Sequence, residues 1–189
     1  SPVFTRPEAR GPAVDGSLWV FGYGSLIWDP GFPVAEQRIG RVQGWHRSFC
    51  MRSIHHRGTV DAPGLVLALD RADGAFCTGV AFRVAEGAEA ATVEALRARE
   101  LISSAYLETR LQVETPQGGL HALTFVIDAD HAQYCGGLAL DEQARIIAHA
   151  SGGRGPNRDY LWSTAAHLAG LGIADPDLEW LADRVRQLT

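Results

Sequence analysis

Cysteine is scarce and scattered in this chain: Cys50, Cys77 and Cys135 are the three in 189 residues, far apart and without CxxC spacing. An odd, dispersed set argues against a disulfide framework or a zinc site and fits a reducing, cytoplasmic compartment. No apolar run approaches the roughly 18–20 residues that a membrane-spanning helix needs. No charged start, apolar stretch and small-residue cleavage site follow one another at the N-terminus, and the chain opens on Ser1 rather than Met, which leaves its native start open. There is no basic cluster and the net charge is −5, so nucleic acid is not an expected partner. Phosphate-loop patterns are also missing. Neither G-x-x-x-x-G-K-[ST] nor G-x-G-x-x-G occurs: Ile27 stands where the third glycine of the latter would be, and the glycine-rich stretch Gly152 to Pro156 carries no Lys. No internal repeat and no linker divides the chain.

What is present is the composition of one globular domain with a real core, 46% apolar and 21% charged. Residues 1–17, rich in Pro, Gly and charge, read as a flexible lead-in to a single domain over 18–189. Trp19-Val-Phe21 reads as a strand that breaks into Gly22-Tyr-Gly-Ser25. Residues 36–52 read as one long or bent strand, with Gly40 and Gly44 marking bends or bulges. Ser53 to Pro63 is loop. Leu65–Leu69 and Phe76–Val84, separated by the turn signal Asp70-Arg-Ala-Asp-Gly74, read as a hairpin. Ala88 to about Leu101 is rich in helix formers. Residues 106–114 and 119–127 form a second hairpin, and helices follow over 140–150, after Asn157 as a cap, and from Asp175-Pro176, a cap followed by Pro at the first helical position. Strands, a helix, strands and then three helices describe an α+β protein rather than alternating β-α units. Several bent antiparallel strands with glycine kinks predict a small curled or barrel-like sheet with peripheral helices.

Two features could carry chemistry. The glycines of the 22–25 turn allow backbone angles other residues resist and let a ligand approach the main chain, so several N–H groups could converge on an anion; the alternative is an ordinary turn after a strand. Glu100 lies seven residues after Val93 and four after Leu96, on the inward face of its helix. Burial there would raise its pKa and suit it to proton transfer, whereas a salt bridge to Arg97, Arg99 or a distant arginine would be purely structural. His55-His56-Arg57 shares a loop with Ser53. Adjacent histidines diverge and no third ligand has suitable spacing, so no metal is expected, and Arg57 serves either as an anion contact or as a loop anchor. Tyr160, at a helix start, either packs or reaches a pocket with its hydroxyl. Ser25 is not in a G-x-S-x-G elbow, and no strand–Ser–helix arrangement is expected around it.

Taken in order, V-F-G-Y-G-S-L-I-W at 20–28, G-W-H-R-S-F-C at 44–50, H-R-G-T at 56–59, A-P-G-L-V-L-A-L-D at 62–70, G-V-A-F-R-V at 79–84, R-E at 99–100 with Tyr106 after it, and G-P-N-R-D-Y-L at 155–161 resemble the ChaC-type γ-glutamylcyclotransferases, most closely their bacterial members. The resemblance implies that family's barrel-like α+β fold and a cofactor-independent, metal-independent lyase reaction. In it the α-amine of a γ-glutamyl compound, typically glutathione, attacks its own γ-amide to give 5-oxoproline and cysteinylglycine. It implies Glu100 as general acid/base. It also implies a site for the γ-glutamyl group at Gly22, Tyr23, Gly24, Ser25, Leu26 and Ile27, with Arg57, Tyr106 and Tyr160 around it. The expected partner is the small-molecule substrate alone, with no membrane, nucleic acid or obligatory protein partner. Where eukaryotic members have Lys-Gly-Gly-Tyr after the Arg-Glu pair, this chain has Leu101-Ile-Ser-Ser-Ala105 before Tyr106; Cys50 replaces a Trp and Leu65 an Arg. These departures are expected on pocket walls. Two other readings stay open: a cyclotransferase for other γ-glutamyl amines or dipeptides, and a non-catalytic small-molecule binding module.

Overall fold

The computed structural model describes residues 17–102 and 104–189, so the lead-in expected over 1–17 falls, except for Ser17, outside the described residues. Five strands close into a barrel in the order β1-β3-β2-β4-β5: β1 (Trp19–Gly22), β2 (Val34–Ser53), β3 (Gly64–Val84), β4 (Tyr106–Thr115) and β5 (Gly118–Ile127). Neighbours along that order are antiparallel, and short parallel contacts of β5 with β1, at Val20 and Leu123, and with β3, at Leu69 and Val126, close the ring. Closure removes the exposed edges that an open sheet of this size would leave. Outside the barrel lie a one-turn helix α1 (Ser25–Trp28), α2 (Glu89–Glu100), α3 (Leu140–His149), α4 (Asn157–Gly170) and α5 (Pro176–Leu188). The mixed α+β barrel read from the residue pattern is the observed architecture.

The strand alternation of β1 sorts its side chains between the two larger of three apolar clusters. Trp19 and Phe21 of β1 join the larger one, which α3, α4 and α5 cover through Ile147, Leu161, Leu168, Leu178 and Leu181. Val20, one residue out of phase, joins the smaller cluster with Leu123, Phe125 and Leu96 of α2. A period of two on the strands and near four on the helix is what lets one short segment serve both.

β3 departs from expectation. Leu65–Leu69 and Phe76–Val84 are not the arms of a hairpin; they are two parts of one strand, and both pair with β2, from Ser53↔Gly64 to Val34↔Val84. The turn chemistry at Asp70–Gly74 is real, with Gly74 at φ +82°, but it makes a bulge. Between Gln43↔Phe76 and Trp45↔Arg71 the β2 strand advances by two residues and β3 by five. Gly44, at φ +85°, sits opposite that bulge. Extra residues on one strand of a pair bend it and increase its twist, which a small barrel requires. Gly40, in contrast, pairs regularly with Gly79. It is glycine because a Cβ there would lie 2.4 Å from Val113 Cγ1 on β4.

Asp175 caps α5 as expected, its Oδ1 accepting from Leu178 N at 3.1 Å with Pro176 in the first turn. Its other oxygen accepts from the buried Arg47, whose guanidinium also donates to Tyr23 O and Thr78 O. Asn157 does not cap α4. It is the first residue of that helix, fully buried, and its side chain bonds both Leu65 N and Leu65 O at 2.8 Å. The glycine-rich stretch before it is a miniature hairpin of β6 (Ser151–Gly152) and β7 (Gly155–Pro156).

Candidate active site

One cleft, at the junction of α1, the end of α2 and the start of α4, gathers the residues singled out above. Its inner recess is lined by Tyr23, Gly24, Ser25 and Leu26 together with Leu67, Glu100, Tyr106, Thr124, Phe125 and Tyr160. It encloses about 20 Å³, room for one small group. Ser25, Glu100, Tyr106 and Tyr160 continue into an outer part of about 90 Å³ that also touches Trp28, Met51, His55, His56, Arg57 and Arg154.

The loop is shaped by its glycines. At the end of β1 a Cβ on Gly22 would meet Leu26 Cβ and Phe82 Cε2, both at 3.1 Å, so this residue lets the chain fold back on itself. Gly24 lies 3.3 Å, by the same measure, from the Tyr160 hydroxyl. The N–H of Ile27 bonds Gly24 O at 3.0 Å, while the N–H groups of Ser25 and Leu26, in the first turn of α1, have no acceptor within that helix. Gly22 and Ile27 therefore shape the loop from behind, Ile27 packing against the larger apolar cluster, and the cleft itself meets Tyr23 to Leu26. A strand–turn–helix arrangement does surround Ser25, although none was expected. Its hydroxyl accepts from Arg99 Nη2 at 3.1 Å, and among the described residues no histidine is bonded to it.

Glu100 closes α2 on the face shared with Thr92 and Leu96, its side chain 15% exposed. Burial pushes its carboxyl above the ordinary value, and the positive charges of Arg99 and Arg154 pull the other way. Of the neighbouring arginines, Arg97 turns outward to Glu108, while Arg99 Nε lies 3.1 Å from Glu100 Oε2. The same Arg99 guanidinium holds Ser25 Oγ and donates to Asp29 O at 2.7 Å. One planar group thus spans from the carboxylate to the loop. Arg99 is the piece that sequence reasoning weighed only as a salt-bridge partner; nothing in the helical spacing points to its link with Ser25, seventy-four positions away.

Three tyrosines brace the recess. Tyr23 Oη donates to Phe125 O at 2.7 Å and Tyr106 Oη to Leu67 O at 2.8 Å, while Tyr160 Oη accepts from Leu67 N at 3.1 Å. Burial raises the pKa of all three, so each is a neutral phenol. Tyr160 also packs edge-on against Trp28 and Phe49, so its packing role and its place in the cleft coexist. Arg57 lines the outer part and is also anchored, Nη1 donating to Pro156 O at 3.1 Å. Cys50 and Leu65 are not pocket walls. Both are fully buried, Cys50 beside Met51, Ala68 and Ala105, and Leu65 in the larger cluster under Asn157. The walls there are their neighbours Met51 and Val66, because adjacent strand residues face opposite ways.

Known proteins are similar to this chain. A glutathione-specific γ-glutamylcyclotransferase of Escherichia coli K12 is 38% identical over 175 residues, covering 92% of this chain and 75% of the relative. A human protein named glutathione-specific γ-glutamylcyclotransferase 1 is 32% identical over 188 residues, covering 95% and 84%. Among solved structures, a yeast γ-glutamylcyclotransferase specific to glutathione has the same fold, with a TM-score of 0.82 at 23% identity over 90% of this chain and 96% of its own. Residues 18–188 match the family described as ChaC-like protein, and with relatives of this identity over most of both chains, the protein belongs to the ChaC-like family.

Proposed function

We propose that the protein is a γ-glutamylcyclotransferase that converts glutathione to 5-oxoproline and cysteinylglycine, with Glu100 as its general acid/base. One observation carries this reading: a buried carboxylate with a raised pKa and a glycine-shaped loop with N–H groups to offer line one recess and are joined by a single guanidinium. The names of the relatives in bacteria and animals support the substrate.

The reaction needs little more than these parts. The substrate's α-amine is an ammonium at neutral pH and must lose a proton to become a nucleophile. Glu100 takes that proton. The amine nitrogen then attacks the γ-carbonyl carbon, the new C–N bond closes a five-membered ring, and the carbonyl oxygen gains negative charge. Glu100, having passed the first proton to water, takes the second from the ring nitrogen that the attack has left positively charged. When the oxygen reforms its double bond, the amide C–N bond breaks and Glu100 gives that proton to the departing nitrogen, so that cysteinylglycine leaves as a neutral amine. Because nucleophile and electrophile belong to one molecule, binding has only to fold the glutamyl arm. Donors in the Tyr23–Leu26 segment would grip the α-carboxylate or the oxyanion. A carboxylate lifted toward neutrality transfers protons in both directions more readily than one at its ordinary value. The same reading makes the protein a lyase of the reducing cytoplasm, where its three free cysteines would persist; no described helix is long and apolar enough to cross a membrane.

Incubation with glutathione and with a panel of γ-glutamyl dipeptides, with 5-oxoproline measured directly, tests the proposal. Release of 5-oxoproline from glutathione at the highest kcat/KM of the panel is the expected result. Calorimetric binding of glutathione without any 5-oxoproline would make the protein a binding module instead.

A further inference from the structure

The outer half of the cleft is short of negative charge. Five residues that can carry positive charge line it, His55, His56, Arg57, Arg99 and Arg154, against Asp29 and Glu100. Arg99 is committed to both of those acidic residues, its Nη2 lying 4.0 Å from Asp29 Oδ2 and its Nε 3.1 Å from Glu100 Oε2. Arg57 and Arg154 are not. Arg57 is 8% exposed, yet of its five N–H donors one has an acceptor, Pro156 O at 3.1 Å, and among the described residues no carboxylate lies within ion-pair distance of it. Its guanidinium also lies 5.7 Å over the Tyr160 ring; a buried guanidinium with no carboxylate beside it is still costly, and an arriving anion recovers part of that cost. Arg154 is exposed at the rim, and among the described residues its side chain has no hydrogen-bond or ion-pair partner. His56 shows how much positive charge meets there: burial, and after it Arg154, His55, Arg57 and Arg99, hold its pKa down.

The two arginines are also fixed relative to each other. Gly153 N donates to His55 O at 2.7 Å and Arg154 N to His56 O at 2.8 Å, which zips the β6–β7 hairpin to the loop that carries Arg57. Gly152 makes this possible, since a Cβ at that position would stand 2.5 Å from Gly58 N. Both arginines line the outer part of the cleft and neither lines the inner recess, where Glu100 faces the Tyr23–Leu26 loop. If the glutamyl end occupies the recess, the leaving half of the substrate extends toward them.

We infer that Arg57 and Arg154 form a seat for a carboxylate on the leaving half of the substrate, so that the site selects γ-glutamyl peptides ending in a free carboxylate over γ-glutamyl amines and amides. This rests on the cyclotransferase reading above. The seat is preorganised, because the loop and hairpin that present it are already bonded together, so little ordering is needed when the carboxylate binds. It acts far from the reacting atoms, so its contribution is expected mainly in KM.

The test compares glutathione with glutathione amidated at its glycine carboxylate, in the wild type and in Arg154→Gln, chosen because Arg154 is at the surface and Arg57 is buried. Both substrates keep the α-amine, the α-carboxylate and the scissile amide. The wild type is expected to prefer glutathione by about tenfold in kcat/KM. Arg154→Gln, with Arg57 still in place, should lower that ratio severalfold through KM, and the wild-type preference should shrink as salt is raised, as a partly exposed charge contact does. Equal kcat/KM for the two substrates in the wild type would overturn the seat and leave the cyclotransferase reading intact. So would an Arg154→Gln loss of the same size on both substrates, which would assign the arginine to the glutamyl end or to the fold. Absence of 5-oxoproline from both would overturn the reaction, and the seat with it.

Discussion

The two ends of the cleft are built on opposite terms. At the inner end the side chains that brace the walls are answered before any ligand arrives, and only the loop N–H groups are left to offer: Tyr23 and Tyr106 donate to carbonyls of β5 and β3, Tyr160 accepts from Leu67 N, and Arg47 behind the loop holds Tyr23 O while paired with Asp175. At the outer end the Arg57 guanidinium has one acceptor for five donors, and the Arg154 side chain has no hydrogen-bond or ion-pair partner among the described residues. A satisfied network is rigid and presents a fixed shape, while an unsatisfied one gains most when a complementary group binds. On this view the inner end aligns the reacting groups and the outer end recognises what is attached to them.

The contrast can be broken most directly at Glu100. Glu100→Gln removes the proton acceptor without changing size, and kcat/KM for 5-oxoproline release is expected to fall about 10²- to 10⁴-fold. The melting temperature should stay level or rise, because a neutral amide escapes the penalty of burying a carboxylate. Near-wild-type turnover would remove Glu100 from the mechanism. A second large effect belongs to the scaffold behind the loop. Arg47→Leu strands Asp175 and two backbone carbonyls, and the side chain is 4% exposed against 14% for its acidic partner. Breaking a buried pair from one side costs about 3–5 kcal/mol, readable in equilibrium denaturation. A loss under 1 kcal/mol would mean that water or other donors replace the guanidinium.

Smaller effects sharpen the comparison. Tyr160→Phe leaves Leu67 N without its acceptor in the wall of the recess, and about 1–3 kcal/mol of stability should go with it. The smallest expected effect is the pH dependence of stability itself. With its folded pKa raised above the ordinary 4.5, Glu100 binds a proton in the native state over a range where the unfolded chain has released it. Stability is therefore greater below 4.5 on this account and declines as pH rises through the raised value, by at most about 1.4 kcal/mol per pH unit. Turnover should rise over that same range, as the base form appears. Comparison of wild type with Glu100→Gln isolates this slope, and identical pH–stability curves for the two would contradict the raised pKa.

What could be read without coordinates was local and periodic. Val93, Leu96 and Glu100 share a face because a helix repeats near every fourth residue, so an inward carboxylate was visible in the spacing, and the structure places it in one cleft with the 23–26 loop. Asp175-Pro176 announced its helix because capping chemistry is decided within four residues. Asp70–Gly74 was misread for an equally local reason. Turn residues specify that the chain bends, not which strand the two arms will pair with, and β2 is long enough to take both. Asn157 has the chemistry of a cap, yet Leu65 offers it a donor and an acceptor ninety-two positions away.

The residue order alone therefore determined the types of the longer elements, the α+β class, the inward orientation of Glu100 and, through ordered motifs, the family. Only the folded chain decided that Arg99 joins Glu100 to Ser25, that Cys50 and Leu65 face the core while Met51 and Val66 face the cleft, and that Arg154 stands beside Arg57. The physical reason is the range over which each is set. Periodicity, capping and turn preference act between residues a few positions apart, whereas a barrel brings together residues from strands and loops nearly a hundred positions apart, and the partners they find there depend on register, bulge position and which neighbours leave room.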